Sequence, residues 1–359
     1  MCMTLMLGLV LGVNLTPLIV KKILGLEALR RKSLAVDANN MLYQFLSLIR
    51  TRDGTPLKDS SGRITSHLVG LMFRSTRLIH TYEIDPVFVF DGKPPGLKGQ
   101  EIIKRRRLRE KAKQEREQAV KEGDYATAWS KAVMTSRLTR PMVDDAKQLL
   151  QLLGLPVLQA PSEAEAQTAH MAKKGDVWAS SSRDYDALLF GAPRLLRYLT
   201  ISGREFLPSK GISRPLRPEL IDLNRLLSHL KLTHKQLIDI AILIGTDFNE
   251  GIKGIGPKSA LKLLRRYGRI EELPSDIRSR ISERYESVRK IFLKPEVIAD
   301  YNLEYGGLRE EALYHFLCEE RDFSKKRVET VVQRMRRFYA SRKQAGLERW
   351  IAEEDTSDL

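Results

Sequence analysis

The sequence predicts an α/β protein with a central, mostly parallel sheet flanked by helices, and three observations predict it. Short apolar segments recur at SLAVD (33–37), PVFVF (86–90) and Val177 to Ser180, and each reads as a buried strand. Each delivers an acid at or just beyond its C-terminal end: Asp37, Asp91 and Asp184. Helical segments join them, the pattern of parallel strands with a site at their carboxyl edge.

With 359 residues the chain can bury a large core, as one elaborated domain or two. Its net charge of +16 and pI near 9.8 put an acidic polymer, most simply nucleic acid, first among partners. Cys2 and Cys318 are too few for a metal framework or a disulfide scaffold, so a reducing cytoplasm is the expected location. No solenoid-length repeat or low-complexity linker is present. The first twenty residues are apolar, but Lys21 and Lys22 follow the run instead of preceding it, and no small-x-small cleavage site closes it. Thr4, Asn14, Thr16 and Pro17 interrupt it as a spanning helix, so no membrane association is expected.

After SLAVD, Asn40 to Ile49 reads as an amphipathic helix with Tyr43 near its start, and residues 52–63 as a polar loop. The helix over 63–80 carries Arg74 and Arg77, three apart and able to share one phosphate path. PVFVF then ends at Asp91, and the character changes. Lys98 to Glu122 is a charged run and Tyr125 to Leu138 a mildly amphipathic helix. A solvated surface helix explains the run. So does a helical arch over a phosphate backbone, because Lys98 and Arg105 lie seven apart on one face.

Pro141 to Leu153 returns to core periodicity and LPVL is a short strand. Glu163 and Glu165 then have two readings. Ser162 to Glu165 fits an S-x-x-E capping box, and the same acids can serve as ligands. Asp184 likewise reads as a helix N-cap or as a ligand. In an extended segment Asp184 and Asp186 point the same way, toward a common ion. Further on, Lys235 to Ile244 is an apolar helix that Asp247 terminates. GIKGIGPKSA is a helix-hairpin-helix-like signature: Gly251, Gly254 and Gly256 allow a tight turn, Pro257 suits a first helical turn, and Lys258 follows. Such a turn offers amides to a phosphate, or carbonyls to a monovalent cation such as K⁺; a plain helix connector is the alternative. Ser324 to Ala340 is a basic helix.

Brought together, Asp37, Asp91, Glu163, Glu165, Asp184, Asp186 and Asp247 would repel one another in a low dielectric, so some must protonate or a multivalent cation must neutralise them. Oxygen-only ligation favours Mg²⁺ or Mn²⁺ over Zn²⁺. Two such ions activate a water and stabilise the leaving oxygen of a phosphodiester. A basic body around an acidic cluster therefore points to nucleic-acid hydrolysis.

AVDANNMLYQF, TSHLVGL, VFVFDGKPP, APSEAEA, SRDYDALLFG and LIGTDFNEGIKGIGPK, in this order and spacing, closely resemble the structure-specific flap endonucleases of archaea and eukaryotes, within the XPG-like nucleases. The resemblance runs from about Gly12 to the C-terminus. It implies a PIN-like nuclease fold and places the seven acids as ligands of two Mg²⁺ per chain, with Mn²⁺ as a substitute. It further implies that Lys98 and Arg105 steer the phosphate at the base of the arch and that Tyr43 stacks near the scissile nucleotide. The implied substrate is branched DNA whose 5′ flap threads the arch, cut to leave a 5′-phosphate. Flap removal in Okazaki-fragment maturation and long-patch base-excision repair, 5′–3′ exonuclease activity and a monomeric enzyme follow from the same family.

QAGLERWI resembles the family's box for a PCNA-type sliding clamp through Gln344, Leu347 and Trp350, with Ile351 where the last aromatic stands. A nuclease of bubbles or four-way junctions is the nearer alternative, against which the short segment between Asp91 and Glu163 argues. A non-catalytic scaffold on DNA or the clamp would predict loss of an acid, and all seven are present.

The expected organisation is an extension over 1–10 and a single nuclease domain over 11–340. Within that domain lie an N-terminal region (12–97), the arch (98–140), an internal region (141–235), the hairpin motif (236–268) and C-terminal helices (269–340). A tail with the clamp box occupies 341–359. Translation is expected to start at Leu11 or Val10, which would leave Gly12 a free α-amino group beside the metal site, as the family implies.

Overall fold

Lys22–Ile23 (β1) and Ser33–Asp37 (β2) begin the sheet of this computed structural model, which describes residues 12–51, 54–199, 204–207 and 212–357. The expected extension over 1–10 lies outside those residues. After β2 come two helices, Ala38–Leu48 (α1) and Ser66–Tyr82 (α2), then the strand Asp85–Phe90 (β3). The arch follows as Gly99–Lys121 (α3) and Tyr125–Met134 (α4), and Arg140–Leu152 (α5) leads to Val157–Gln159 (β4). Ala164–Lys174 (α6) crosses to Ala179–Ser181 (β5), and the short Asp186–Leu189 (α7) to Arg194–Arg197 (β6). A separate hairpin pairs Arg204–Leu207 (β7) with Ile212–Pro215 (β8) before Glu219–Asp222 (β9) completes the main sheet.

Helices make up the rest. Leu223–Leu230 (α8), His234–Ile244 (α9) and Pro257–Tyr267 (α10) are followed by Ser275–Arg278 (α11), Tyr285–Leu293 (α12), Glu310–Tyr314 (α13) and Lys325–Ser357 (α14). The last runs well past the Ala340 expected from sequence. None of the described helices is long and apolar enough to cross a membrane.

The seven strands are ordered β1-β9-β6-β5-β2-β3-β4; β6, β5, β2, β3 and β4 are mutually parallel, and only β9 and β1 are antiparallel to their neighbours. Successive strand residues face opposite sides. Leu34, Val36, Phe88 and Phe90 enter a core with α1, α2, α5 and α14, while Ala35, Val87 and Val89 pack on Ala164, Met171 and Ala172 of α6. A third apolar cluster joins α7, α8, α9, α10 and α12 around Leu188, Leu237, Leu264 and Phe292. Burial on both faces explains why these strands are continuous apolar runs.

From β2 the chain winds first toward β3 and β4 and later toward β5 and β6, so β2 and β5 flank the point where the winding reverses. Open α/β sheets form their crevice there, beyond the strand C-termini. Asp37 ends β2, Asp91 follows β3, Glu163 lies beyond β4, and Asp184 beyond β5. The arch stands over the same edge. Its helices pack through Ala112, Ala119, Ala128 and Ala132, small side chains that let the backbones approach. Its second foot rests on the loop after α1, where Trp129 lies against Gly54 and Arg50 bonds both the Gly54 carbonyl (2.6 Å) and Ser136.

His67, near the start of α2, is fully buried, and neither ring nitrogen has a hydrogen-bond partner among the described residues. Burial, opposed by Asp145, pushes its pKa down from 6.5 to about 4. The folded chain keeps this ring neutral, whereas the unfolded chain takes up a proton below pH 6.5. Its contribution to stability is therefore complete above pH 6.5 and is lost as pH falls toward 4. Between pH 7 and 4 the wild type should lose about 3 kcal/mol more stability than His67→Leu in urea unfolding. Parallel pH profiles for the two proteins would contradict this.

Candidate active site

Asp37 caps α1: one carboxylate oxygen accepts from the Asn40 amide (2.9 Å), and the other lies 3.4 Å from the Ser182 hydroxyl. The same hydroxyl donates to Glu165 (2.9 Å) and accepts from the Asp184 amide (3.2 Å). Asp184 in turn accepts from the Asn40 side chain (2.7 Å), whose oxygen is held by Gln44 (2.8 Å). Ser182 and Asn40 thus draw Asp37, Glu165 and Asp184 together.

The remaining acids join through the backbone and through two cations. Asp186 accepts from the Val13 amide (2.9 Å), and Asp247 faces the Gly12 amide at 3.3 Å. Gly12 has φ +82°, and a Cβ there would meet an Asp186 carboxylate oxygen at 2.7 Å, so only glycine lets the chain pass this close. Asp91 bonds the Ala164 amide and the Asn39 side chain, each at 2.8 Å, which fixes it beside Glu163. Lys98 Nζ stands between Glu163 (2.6 Å) and Asp247 (3.3 Å). Arg105 places one terminal nitrogen 2.7 Å from both Asp247 oxygens. The expected shared face of Lys98 and Arg105 is real, and it is turned onto one carboxylate.

Burial, then the nearby Asp91, raises the Asp37 pKa to about 8, and burial with Asp247 raises Asp186 to about 7. Burial and the charge of Asp186 push Glu165 and Asp184 well above the usual carboxylate range. Glu163 is raised by burial against the pull of Lys98. Asp247 is buried too, yet Lys98 and Arg105 hold it below its ordinary value. These shifts describe a pocket short of positive charge. Its oxygen-only donors suit a hard divalent cation. Among the described residues no three such groups yet converge to enclose an ion. Lys98 and Arg105 stand where that charge is needed.

Several sequence expectations are corrected. The Ser162–Glu165 capping box does not form: Glu163 is the N-cap of α6 without a side-chain bond, Asp91 caps the helix instead, and Glu165 turns to Ser182. Asp184 caps no helix, since Tyr185 precedes α7. Asp184 lies in a bend over 183–185 and Asp186 is the first residue of α7, so the two are not on an extended segment, yet they stay near enough for the charge of Asp186 to act on Asp184. Asp247 does not end α9, which stops at Ile244; Asp247 sits in a turn closed by the Thr246–Asn249 bridge.

The residues expected from sequence to contact nucleic acid divide similarly. Arg77 is exposed on α2, but Arg74 is buried, because α2 is packed against α1, α5 and α14. Burial, then Arg77, lowers the Arg74 pKa to about 9. Tyr43 is half-buried on α1, one turn beyond Asn40. In the hairpin-like turn Gly251 lies against the Ile244 carbonyl, Gly254 has φ +91°, Gly256 precedes α10, and Lys258 is exposed. The Lys253 carbonyl of that turn accepts from Arg280 (2.6 Å). A cleft of about 460 Å³ opens beside Asp247, lined by Gly12, Leu97, Lys104, Thr246 and Phe248. Gln344 is exposed on α14, whereas the side chains of Leu347, Trp350 and Ile351 lie outside the described residues.

Sequence reasoning passed over Asn39, Asn40, Ser182 and the amide of Val13, whereas the Gly12 nitrogen was expected beside the acids. The available signal was position: small polar residues interleaved with acids in DANN and SRDYD.

Residues 13–112 match the XPG N-terminal domain and residues 154–247 the XPG I-region. Flap endonuclease 1 of Staphylothermus marinus is 47% identical, the match covering 95% of this chain and 100% of that protein. The Pyrococcus abyssi enzyme of the same name is also 47% identical, over 95% of this chain and 98% of its own. Among solved structures, flap endonuclease-1 from Methanococcus jannaschii superposes with a TM-score of 0.74 at 41% identity, covering 92% of this chain and all of that one. The catalytic core of Rad2, at 23% identity and a TM-score of 0.66, shares the fold over 89% of this chain and 96% of its own. The chain belongs to the flap endonuclease family of XPG-type nucleases.

Proposed function

We propose that this chain is a divalent-metal-dependent, structure-specific flap endonuclease that hydrolyses branched DNA at a 5′ flap, with an accompanying 5′–3′ exonuclease activity. The observation that carries this reading is the placement of Asp37, Asp91, Glu163, Glu165, Asp184, Asp186 and Asp247 along one sheet edge, with Lys98 and Arg105 of the arch bonded to two of them. These acids are proposed to hold two Mg²⁺ ions, for which Mn²⁺ substitutes. When bound, the ions lower the pKa of a water and stabilise the leaving oxygen of the phosphodiester.

The protein's own side chains supply orientation and charge. Asn40, Ser182 and the amides of Gly12 and Val13 hold the carboxylates in place. Lys98 and Arg105, once they leave Glu163 and Asp247, can donate to the non-bridging oxygens of the scissile phosphate. Tyr43 offers a ring for a base to stack on. Exposed Arg77 and Lys258, with the turn at 251–256, are proposed to contact duplex backbone, which gives affinity without reading sequence. The setting proposed is Okazaki-fragment maturation and long-patch base-excision repair in the cytoplasm, by a monomer.

Single-turnover cleavage of a labelled flap, with duplex binding measured in parallel, tests these roles. Asp184→Asn should keep substrate binding and lose roughly 10³-fold or more in rate at saturating Mg²⁺. Lys98→Ala should lose about 10²-fold in rate while binding changes only a few-fold. A near-normal rate for Asp184→Asn, or a Lys98→Ala effect confined to affinity and erased at low salt, would contradict the assignment.

A PCNA-type clamp is proposed to bind the C-terminal box, with Leu347 and Trp350 as buried anchors flanked by Gln344 and Ile351. Changing both Leu347 and Trp350 to Ala should abolish clamp stimulation and leave unstimulated cleavage intact. Equal stimulation of wild type and double variant would refute it.

A further inference from the structure

The bend that carries Asp184 and leads into Asp186 at the start of α7 is held from its other side by a single guanidinium. Arg197 ends β6, which pairs with β5 on one side and β9 on the other. Its Nε donates to the Arg183 carbonyl (2.7 Å) and its Nη1 to the Tyr185 hydroxyl (2.5 Å). Nη2 reaches the Tyr198 hydroxyl at 3.1 Å, and Glu219, the register partner of Arg197 on β9, lies 3.3 Å from Nη1. The guanidinium carbon stands 3.9 Å from the centre of the Tyr185 ring and 4.7 Å from that of Tyr198. Only 7% of Arg197 is exposed.

Tyr185 is the residue between the two acids. Its hydroxyl also meets Thr16 (3.3 Å), just beyond Gly12 and Val13, whose amides face Asp247 and Asp186. Arg197 therefore grips the bend twice, by backbone before Asp184 and by side chain after it. Asn40 and Ser182 hold the opposite side, through the amides of Arg183 and Asp184.

We propose that Arg197 is a positioning residue for cation binding: it fixes the 183–185 bend that leads into α7, so that Asp184 and Asp186 meet an ion together, while touching neither carboxylate. This rests on the reading of those acids as ligands. The forked guanidinium is required, because an ammonium group cannot reach the Arg183 carbonyl and the Tyr185 hydroxyl in one plane while stacking on two rings.

The test is Mn²⁺ binding to the full chain without DNA, followed by the electron paramagnetic resonance of free aqueous Mn²⁺, with thermal melting in EDTA as the control for folding. Arg197→Lys should raise the Mn²⁺ dissociation constant by about tenfold or more while still melting cooperatively. Tyr185→Phe, which keeps the ring and loses the hydroxyl, should raise it by less. Wild-type affinity in Arg197→Lys and Tyr185→Phe, alongside weakened binding in Asp184→Asn, would overturn the role of Arg197. Should Arg197→Lys fail to fold, Tyr185→Phe decides alone: weakened binding supports the proposal and unchanged binding overturns it. Unchanged binding in Asp184→Asn would overturn the ligand assignment, and this inference with it.

Discussion

Mutual repulsion among buried carboxylates is the constraint on which the rest of this structure depends. Burial and neighbouring acids raise Asp37, Glu165, Asp184 and Asp186 together, so the pocket is stable only with protons or outside positive charge. Lys98 and Arg105 supply part of that charge from the base of the arch. This gives the arch a second role beside any contact with DNA. Its first helix is tied to the catalytic edge by the same residues that are proposed to act on the phosphate.

The α/β framework makes this crowding possible. Parallel strands end together, so acids at the ends of β2, β3 and β5 meet without any of them being adjacent in sequence. The winding reversal between β2 and β5 opens the crevice into which Asp37 and Asp184 project. Around them, side chains that are not acids set the spacing: Ser182 and Asn40 on one side of the 183–185 bend, Arg197 on the other. Gly12, with no side chain, lets the start of the described chain come within contact of Asp186.

Legibility in the sequence followed the physics of each element. SLAVD was readable to the residue, because strands buried on both faces are continuous apolar runs and an acid marks their end. β6 and β9, RLLR and ELID, were not: each has too few apolar residues to register, and their antiparallel pairing is decided by partners distant in sequence. The seven candidate acids were legible, since their chemistry shows in one dimension. Their supports were not, because a serine or asparagine says nothing until the fold puts it between two carboxylates. The Ser162 to Glu165 pattern did not become a capping box for the same reason: Ser182 takes the Glu165 carboxylate and Asp91 caps the helix at the Ala164 amide, both from other parts of the chain. Arg74 and Arg77 look equivalent at i, i+3, and only the packing of α2 separates the buried one from the exposed one.

The most direct test of the account is cleavage by the purified chain of end-labelled DNA in three forms, a 5′ flap, a bubble and a four-way junction, each with Mg²⁺ and with EDTA. The account predicts a cut near the flap junction that leaves a 5′-phosphate, weaker action on the other two, and no product in EDTA. Cleavage that persists in EDTA, or a bubble or four-way junction cut in preference to the flap, would contradict it.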